Sequence, residues 1–174
     1  MKKTGYIFLA VFLSVIEFYP AQPLSAAEMH MEMHNFTTVD SLAPAVHPRY
    51  PVGTAIIVKA DHMSGMKNAK GTVSGVFDTP LYAVDYVNSH GEAVSNHKWV
   101  IQQEIQDSGS RSYQLGDQVT LLPGHMSGLG GSGVHARIVQ IVKGPAYMID
   151  YQPTDGTSPV IHHQWVTQNE LQPR

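Results

Sequence analysis

An internal repeat constrains the fold of this chain more than any other feature of its sequence. The stretch YPVGTAIIVKADHMSGM from Tyr50 matches YQLGDQVTLLPGHMSGL from Tyr113, and NHKWVIQQEI later in the first copy matches HHQWVTQNEL in the second. Self-similarity of this kind is typical of a structural unit that occurs more than once. We therefore expect two copies of one small unit, residues 50–106 and 113–172, joined by a polar linker at 107–112.

Short β-rich runs fill each copy. The first copy contains TAIIVKA, GTVSGVFD, LYAVDYV and HKWVIQQEI, with turn residues between them. Such runs, rich in β-branched and aromatic residues, predict strands. Several short strands in about 60 residues predict an all-β fold of two tandem small SH3-like barrels. The side chains expected to fill their cores are aromatic: Tyr82, Tyr86, Trp99, Tyr147, Tyr151 and Trp165.

The residues before the repeats predict export from the cytoplasm. Two lysines precede an apolar run at 6–16, and small residues follow, which is the pattern of a secretory signal peptide over residues 1–27. The apolar run is short for a bilayer span, so we expect no stable membrane span after cleavage. Residues 28–49 have few large apolar groups other than methionine, and we interpret them as a flexible arm.

Composition limits the partners and the available metal ligands. The formal net charge is -3 and the charged residues are scattered, which argues against nucleic acid as a partner. The chain has His 10 and Met 8 but Cys 0. We therefore expect an extracytoplasmic protein that is not a lipoprotein and has no disulfide bonds. A soft or borderline metal ion would have to be bound by imidazole and thioether groups.

The repeated motifs resemble those of the YdhK family, small secreted or lipid-anchored bacterial proteins that usually carry this module in tandem. VGTAIIVKADHMSGM and NHKWV carry the resemblance, which covers nearly all of residues 50–172. It implies the fold and the tandem architecture. Some members are extracytoplasmic copper-binding lipoproteins found alongside copper-efflux systems, so the resemblance also implies copper as a ligand. In the second copy Gly124 and Leu129 replace the aspartate and the second methionine of the motif.

The loop after the first strand of each copy supplies candidate ligands. Gly65 can adopt the positive φ that folds such a loop back, and histidine with methionine suits copper outside the cell. A strand-start histidine recurs at matched positions later in each copy. The predicted ligands in the repeats are His62, Met63, Met66, His97, His125, Met126 and His163. The alternative, that these histidines only tie down loops through hydrogen bonds, stays open. Asp61 either fixes a histidine tautomer or is an ordinary loop residue.

The arm is a second candidate site. The stretch EMHMEMH contains five potential donors, Met29, His30, Met31, Met33 and His34. If a signal peptidase cuts after Ala27, His30 becomes the third residue, and the new terminus offers four nitrogens in one plane, which suits Cu(II). A solvated tail is the alternative interpretation.

The predicted function is extracytoplasmic binding of copper, of either oxidation state, for sequestration or copper resistance. The alternative is a non-catalytic module whose paired barrels bind cell-wall glycan or peptide, because a fold does not fix a function. The candidate partners are therefore a metal ion and a component of the cell envelope. No enzyme is expected, since no nucleophile motif or H-E-x-x-H pattern is present. We interpret Asp85 and Asp150 as structural strand-end residues, and His47, His90, His135 and His162 as surface residues.

Overall fold

The computed structural model describes residues 39–123 and 133–174. Within these ranges the chain forms nine strands and two 3₁₀ helices. The first repeat forms β1 (Ala55–Val58), β2 (Lys70–Phe77), β3 (Leu81–Val87), β4 (Ala93–Ile101) and the 3₁₀ helix η1 (Gln102–Glu104). The second repeat forms β5 (Gln118–Leu121), β6 (Val134–Val142), β7 (Ala146–Gln152), β8 (Val160–Thr167), η2 (Gln168–Glu170) and β9 (Leu171–Pro173). The prediction of an all-β fold is confirmed.

The strands form two antiparallel sheets, and each sheet combines strands from both repeats. The first sheet has the order β8-β7-β2-β1-β9, and the second has the order β4-β3-β6-β5. Strand β2 pairs with β7 along its whole length, and β3 pairs with β6. The repeats are therefore interlocked, whereas the sequence predicted one barrel for each repeat.

Two tight turns explain the interlocking. The turn at 78–80 takes the chain from β2 in the first sheet to β3 in the second, and the turn at 143–145 takes it from β6 back to β7. The turns lie against each other, since a Cβ on Gly144 would come 2.6 Å from the backbone oxygen of Thr79. Each repeat thus crosses between the sheets at the same place. The first repeat leaves two strands in each sheet, and the second leaves β5 and β6 in the second sheet and β7, β8 and β9 in the first.

Strand pairing among the described residues does not join the outer strands of either sheet into a closed barrel. In the first sheet the chain runs from β8 through η2 into β9, which pairs with β1 at the opposite edge. In the second sheet Ile105, which follows η1, forms an isolated bridge to Leu121 of β5. In each sheet, the strand at one edge is therefore followed in the chain by a 3₁₀ helix and then by residues that pair at the opposite edge of the same sheet.

Three buried clusters form the core. One lies in the first sheet and one in the second, and the third joins residues of both sheets around Trp99 and Trp165. Five of the six aromatic side chains predicted to fill the core are buried, and Tyr86 is half-buried against the second cluster. The prediction of aromatic cores is thus confirmed, with the two tryptophans placed between the sheets.

The described part of the predicted flexible arm is docked on the first sheet. Leu42 is buried with the tryptophans, the Ala45 amide donates to the oxygen of Val76 at 3.0 Å, and the Asp78 amide donates to Ala43. Pro44 forms a bridge with Phe77. Residues 43–45 are therefore held to the first sheet by backbone contacts. The flexibility of residues 28–49 stays a prediction, and residues 28–38 lie outside the described ranges.

Candidate metal site

One groove brings together four of the predicted ligands. It has a volume of about 880 Å³ and lies between the loop after β1, the middle of β4 and the middle of β8. Its potential donors are His62, Met63, His97 and His163, together with Glu170 of η2. The two repeats both contribute, so the groove depends on the interlocked fold.

A carboxylate from the other repeat holds His62. The Nε2 atom of His62 lies 2.7 Å from Oε1 of Glu170, and the two side chains are only 11% and 17% exposed. The imidazole ring packs edge-on against Trp99, with ring centroids 6.4 Å apart. The other ring nitrogen, Nδ1, is buried and has no hydrogen-bond partner among the described residues. One nitrogen of His62 is thus held by Glu170, and the other is a buried atom without a hydrogen-bond partner among the described residues.

The second oxygen of Glu170 is fully engaged. Its Oε2 accepts hydrogen bonds from Trp99 Nε1 at 2.8 Å, from the Thr167 amide at 2.8 Å and from Thr167 Oγ1 at 2.9 Å. Burial alone would raise the pKa of Glu170, but the hydrogen bond from His62, the Thr167 amide, the charge of His62 and the Trp99 indole outweigh burial and lower the pKa to about 2. Glu170 is therefore a fixed carboxylate at neutral pH.

Glu104 makes the matching contact in the first repeat. Its Oε1 accepts from Trp165 Nε1 at 3.0 Å, and its Oε2 accepts from the Ile101 amide at 2.8 Å. Each repeat therefore receives the indole of the other repeat on its 3₁₀ glutamate. The sequence analysis missed both glutamates, although QQE and QNE stand at matched positions after the repeated tryptophans. This repeated carboxylate was the signal that could have found Glu170.

His97 and His163 reach the groove from matched positions on β4 and β8, which lie next to each other. Both are half-buried, and each packs edge-on against a tyrosine of the neighbouring strand, at 5.9 Å from Tyr86 for His97 and 5.7 Å from Tyr151 for His163. The pairing of both strands is irregular here. An irregularity of this kind changes the direction in which nearby side chains point.

The repeated aspartates stabilise these irregular positions. Asp85 Oδ1 accepts the amide of Asn96, and Asp150 Oδ1 accepts the amide of His162, each at 2.7 Å. Asn96 and His162 have positive φ values of 51° and 53°, a conformation that needs local support outside glycine. This supports the structural interpretation of both aspartates. Asp61 is exposed and lies 3.3 Å from Lys67 Nζ, so the partner of His62 is Glu170 instead.

The two methionines of the first loop have opposite environments. Met63 is 51% exposed and lines the groove. Met66 is fully buried in the core of the first sheet, so its prediction as a ligand is corrected to a packing role. Gly65 has the expected positive φ, 71°. Its carbonyl accepts the Thr154 amide at 2.9 Å, which ties the loop to the second repeat.

Several predicted ligands fall outside the described ranges. These are Met29, His30, Met31, Met33, His34, His125 and Met126. The four histidines predicted to lie on the surface, His47, His90, His135 and His162, are exposed as expected.

A metal ion in the groove would need a thioether or solvent among its ligands. Within residues 39–123 and 133–174, no three His, Cys, Asp or Glu side chains come close enough together to hold a metal ion. Met63 is the exposed thioether in the groove.

No helix within residues 39–123 and 133–174 is long and apolar enough to cross a membrane.

Known proteins resemble this chain in sequence and in structure. The family described as "Protein of unknown function (DUF1541)" matches residues 52–102 and 115–168, one segment in each repeat. The uncharacterized protein YdhK of Bacillus subtilis (strain 168) is 41% identical over 151 residues, which are 84% of this chain and 73% of YdhK.

Solved structures of the same B. subtilis protein share the fold. A crystal structure of YdhK, a DUF1541 family protein, has a TM-score of 0.73 at 42% identity and covers 78% of this chain and 91% of that chain. A solution NMR structure of the YdhK C-terminal domain has a TM-score of 0.66 at 43% identity and covers 71% of this chain and 93% of that domain.

Proposed function

The chain belongs to the DUF1541 family, which includes YdhK, and we propose that it binds copper outside the cytoplasm. The observation that supports this proposal is the groove that collects His62, Met63, His97 and His163 from three separate segments of the chain. Bound copper would be sequestered or buffered there. The signal-peptide pattern of residues 1–27 supports the extracytoplasmic location.

The donor chemistry of the groove favours Cu(I). Imidazole nitrogen and thioether sulfur are neutral donors, and a soft thioether selects Cu(I) over harder ions. Lys59 and Lys98 also line the groove, and their positive charges oppose a divalent ion more than a monovalent one. Glu170 offsets part of this repulsion, because its lowered pKa keeps it anionic.

The test is an anaerobic titration of residues 28–174 with Cu(I) against a competing chelator. The arm donors and the predicted donors His125 and Met126 are first removed, by replacing Met29, Met31, Met33 and Met126 with Leu and His30, His34 and His125 with Ala, so that the groove is measured alone. In this background we expect His62→Ala, His97→Ala and Met63→Leu each to weaken Cu(I) binding about tenfold or more, since each removes one ligand.

Matched controls separate ligand loss from a general effect of substitution. Met66→Leu makes the same change as Met63→Leu but in the core, and His90→Ala removes an exposed histidine that does not line the groove. We expect both to keep the parent affinity. If His62→Ala and Met63→Leu bind Cu(I) as tightly as the parent, copper does not bind in the groove.

The volume of the groove favours one alternative, a binding site for cell-wall glycan or peptide. About 880 Å³ is far more than one ion fills, and Ser95, Asn96 and Gln164 offer polar contacts along the lining. Sedimentation with purified cell wall in the presence of a chelator distinguishes the two functions. Chelator-resistant sedimentation that Asn96→Ala weakens would favour the alternative over copper.

A further inference from the structure

We infer that Glu170 is a positioning residue that sets the tautomer of His62, so that His62 binds the ion through Nδ1. This inference rests on the proposed function and names the ligand atom. It goes beyond the set of ligands, because Glu170 would not touch the ion. Its role is to decide which of the two ring nitrogens is available.

The contact between the two side chains determines the position of the proton. An ionised carboxylate only accepts hydrogen bonds. Oε1 of Glu170 lies 2.7 Å from Nε2 of His62, so Nε2 must carry the hydrogen. In the neutral ring the lone pair then belongs to Nδ1, which is the buried nitrogen that has no hydrogen-bond partner within the described residues.

The carboxylate cannot easily turn away from this role. Its other oxygen accepts three hydrogen bonds, one from the Trp99 indole and two from Thr167. The Trp99 ring also packs against the His62 ring. The orientation of the imidazole is therefore fixed before any ion arrives. Carboxylates that hold a metal-binding histidine in this way also raise its basicity.

The arrangement makes the proposed site depend on contact between the repeats. His62 follows β1 in the first repeat, whereas Glu170 belongs to η2 in the second. The ligand and its positioning residue thus meet only because the strands of the two repeats are exchanged.

The first measurement uses the metal-free protein at pH 8. Nitrogen chemical shifts and ring couplings of His62 by NMR report which nitrogen is protonated. We expect the hydrogen on Nε2 and a bare Nδ1. A hydrogen on Nδ1, or a doubly protonated ring, would overturn the inference even if copper binds. The expected tautomer in a protein that binds no Cu(I) would overturn the proposed function and the role of Nδ1 as a ligand atom, but not the effect of Glu170 on the tautomer.

The second measurement uses Glu170→Gln, which keeps the size of the side chain. Three donors hold one oxygen of Glu170, so the amide oxygen of Gln should stay there and its NH₂ should face His62. Nε2 would then become the acceptor and Nδ1 would carry the hydrogen. We expect the NMR signature of His62 to reverse and Cu(I) binding to weaken about 10- to 100-fold, the usual effect of losing such a partner.

Glu104→Gln is the matched control, because Glu104 accepts the indole of Trp165 in the same way. It should leave the His62 tautomer unchanged. An unchanged tautomer in Glu170→Gln would contradict the inference. If Glu170→Gln does not fold, the measurement on the unmodified protein still decides the position of the hydrogen.

Discussion

Glu170 connects an imidazole, an indole and a threonine through a single, partly buried carboxylate. These groups come from β1's loop, β4 and β8, so one residue ties the groove to both sheets. A carboxylate with this many donors is strongly favoured in its ionised form, which is why its pKa falls to about 2 despite burial. The stability of the fold should therefore depend on pH through this residue.

The sign of that dependence follows from the lowered pKa. The usual pKa is 4.5 and the folded value is about 2, so the contribution to stability is fully present above about pH 4.5 and is lost as the pH falls towards 2. We expect Glu170 to account for about 2 kcal/mol of the free energy of unfolding lost between pH 7 and pH 3. Urea denaturation at both pH values should show a smaller loss in Glu170→Gln than in the parent.

A control for this measurement is Glu92→Gln, because Glu92 is exposed in a turn. This variant should lose as much stability between pH 7 and pH 3 as the parent does. An equal loss in Glu170→Gln and the parent would mean that the contacts of Glu170 do not persist in solution.

At the scale of elements, the loop after β1 is positioned by the turn between β7 and β8. Gly65 accepts the Thr154 amide, and Ser64 Oγ donates to Asp155 at 3.2 Å. The hydrogen bonds from Thr157 are the largest of the contacts that lower the pKa of Asp155, so this acceptor is ionised at neutral pH. The loop that carries His62 and Met63 is thus held by side chains of the other repeat at two points, at His62 through Glu170 and at Ser64 through Asp155.

Gly65→Ala should loosen this loop. A Cβ at position 65 would lie 2.7 Å from the Asp155 carboxylate, and the positive φ is strained for alanine. We expect a loss of about 1 kcal/mol of stability from the strain of the positive φ, and a further loss because the aspartate contact is displaced. Hydrogen exchange of the Thr154 amide should accelerate.

Gly53→Ala separates these two causes, because Gly53 has a φ of 88° and open space around the added methyl group. It should cost about 1 kcal/mol and leave exchange at Thr154 unchanged. If Gly65→Ala behaves like Gly53→Ala in both measurements, the contact with Asp155 does not hold the loop.

In the whole molecule, strand pairing and side-chain contacts join the two repeats. The β2–β7 and β3–β6 pairings cross from one repeat to the other, and so does the pairing of β1 with β9. The two indole–glutamate contacts also cross. A separated repeat would expose an edge on each of three strands, together with the apolar faces that they cover.

Cutting the linker should therefore not separate the halves. A protease site inserted between Gly109 and Ser110, which are exposed, allows the folded protein to be cleaved there. We expect the cleaved protein to elute as one particle of unchanged size in gel filtration and to separate into two chains only in denaturant. Two β-rich particles in native buffer would show that each repeat folds alone. The uncleaved insertion variant is the control for any effect of the inserted residues.

The all-β class, the presence of two repeats, the aromatic core and the positive φ of Gly65 could be predicted from the sequence, because each depends on local residue preferences or on comparison of the chain with itself. The exchange of strands between the repeats could be seen only in the tertiary structure. Strand pairing depends on contacts between residues far apart in the chain, and each strand could find a similar partner in either repeat. The tertiary structure was also needed to distinguish Met66, which is in the core, from Met63, which lines the groove. The path of the loop determines which of these two nearby methionines is buried, and the sequence does not reveal that path. Glu170 was present in the repeat, but its partner His62 lies far away in the chain, so the pair could be recognised only once the two repeats were seen interlocked.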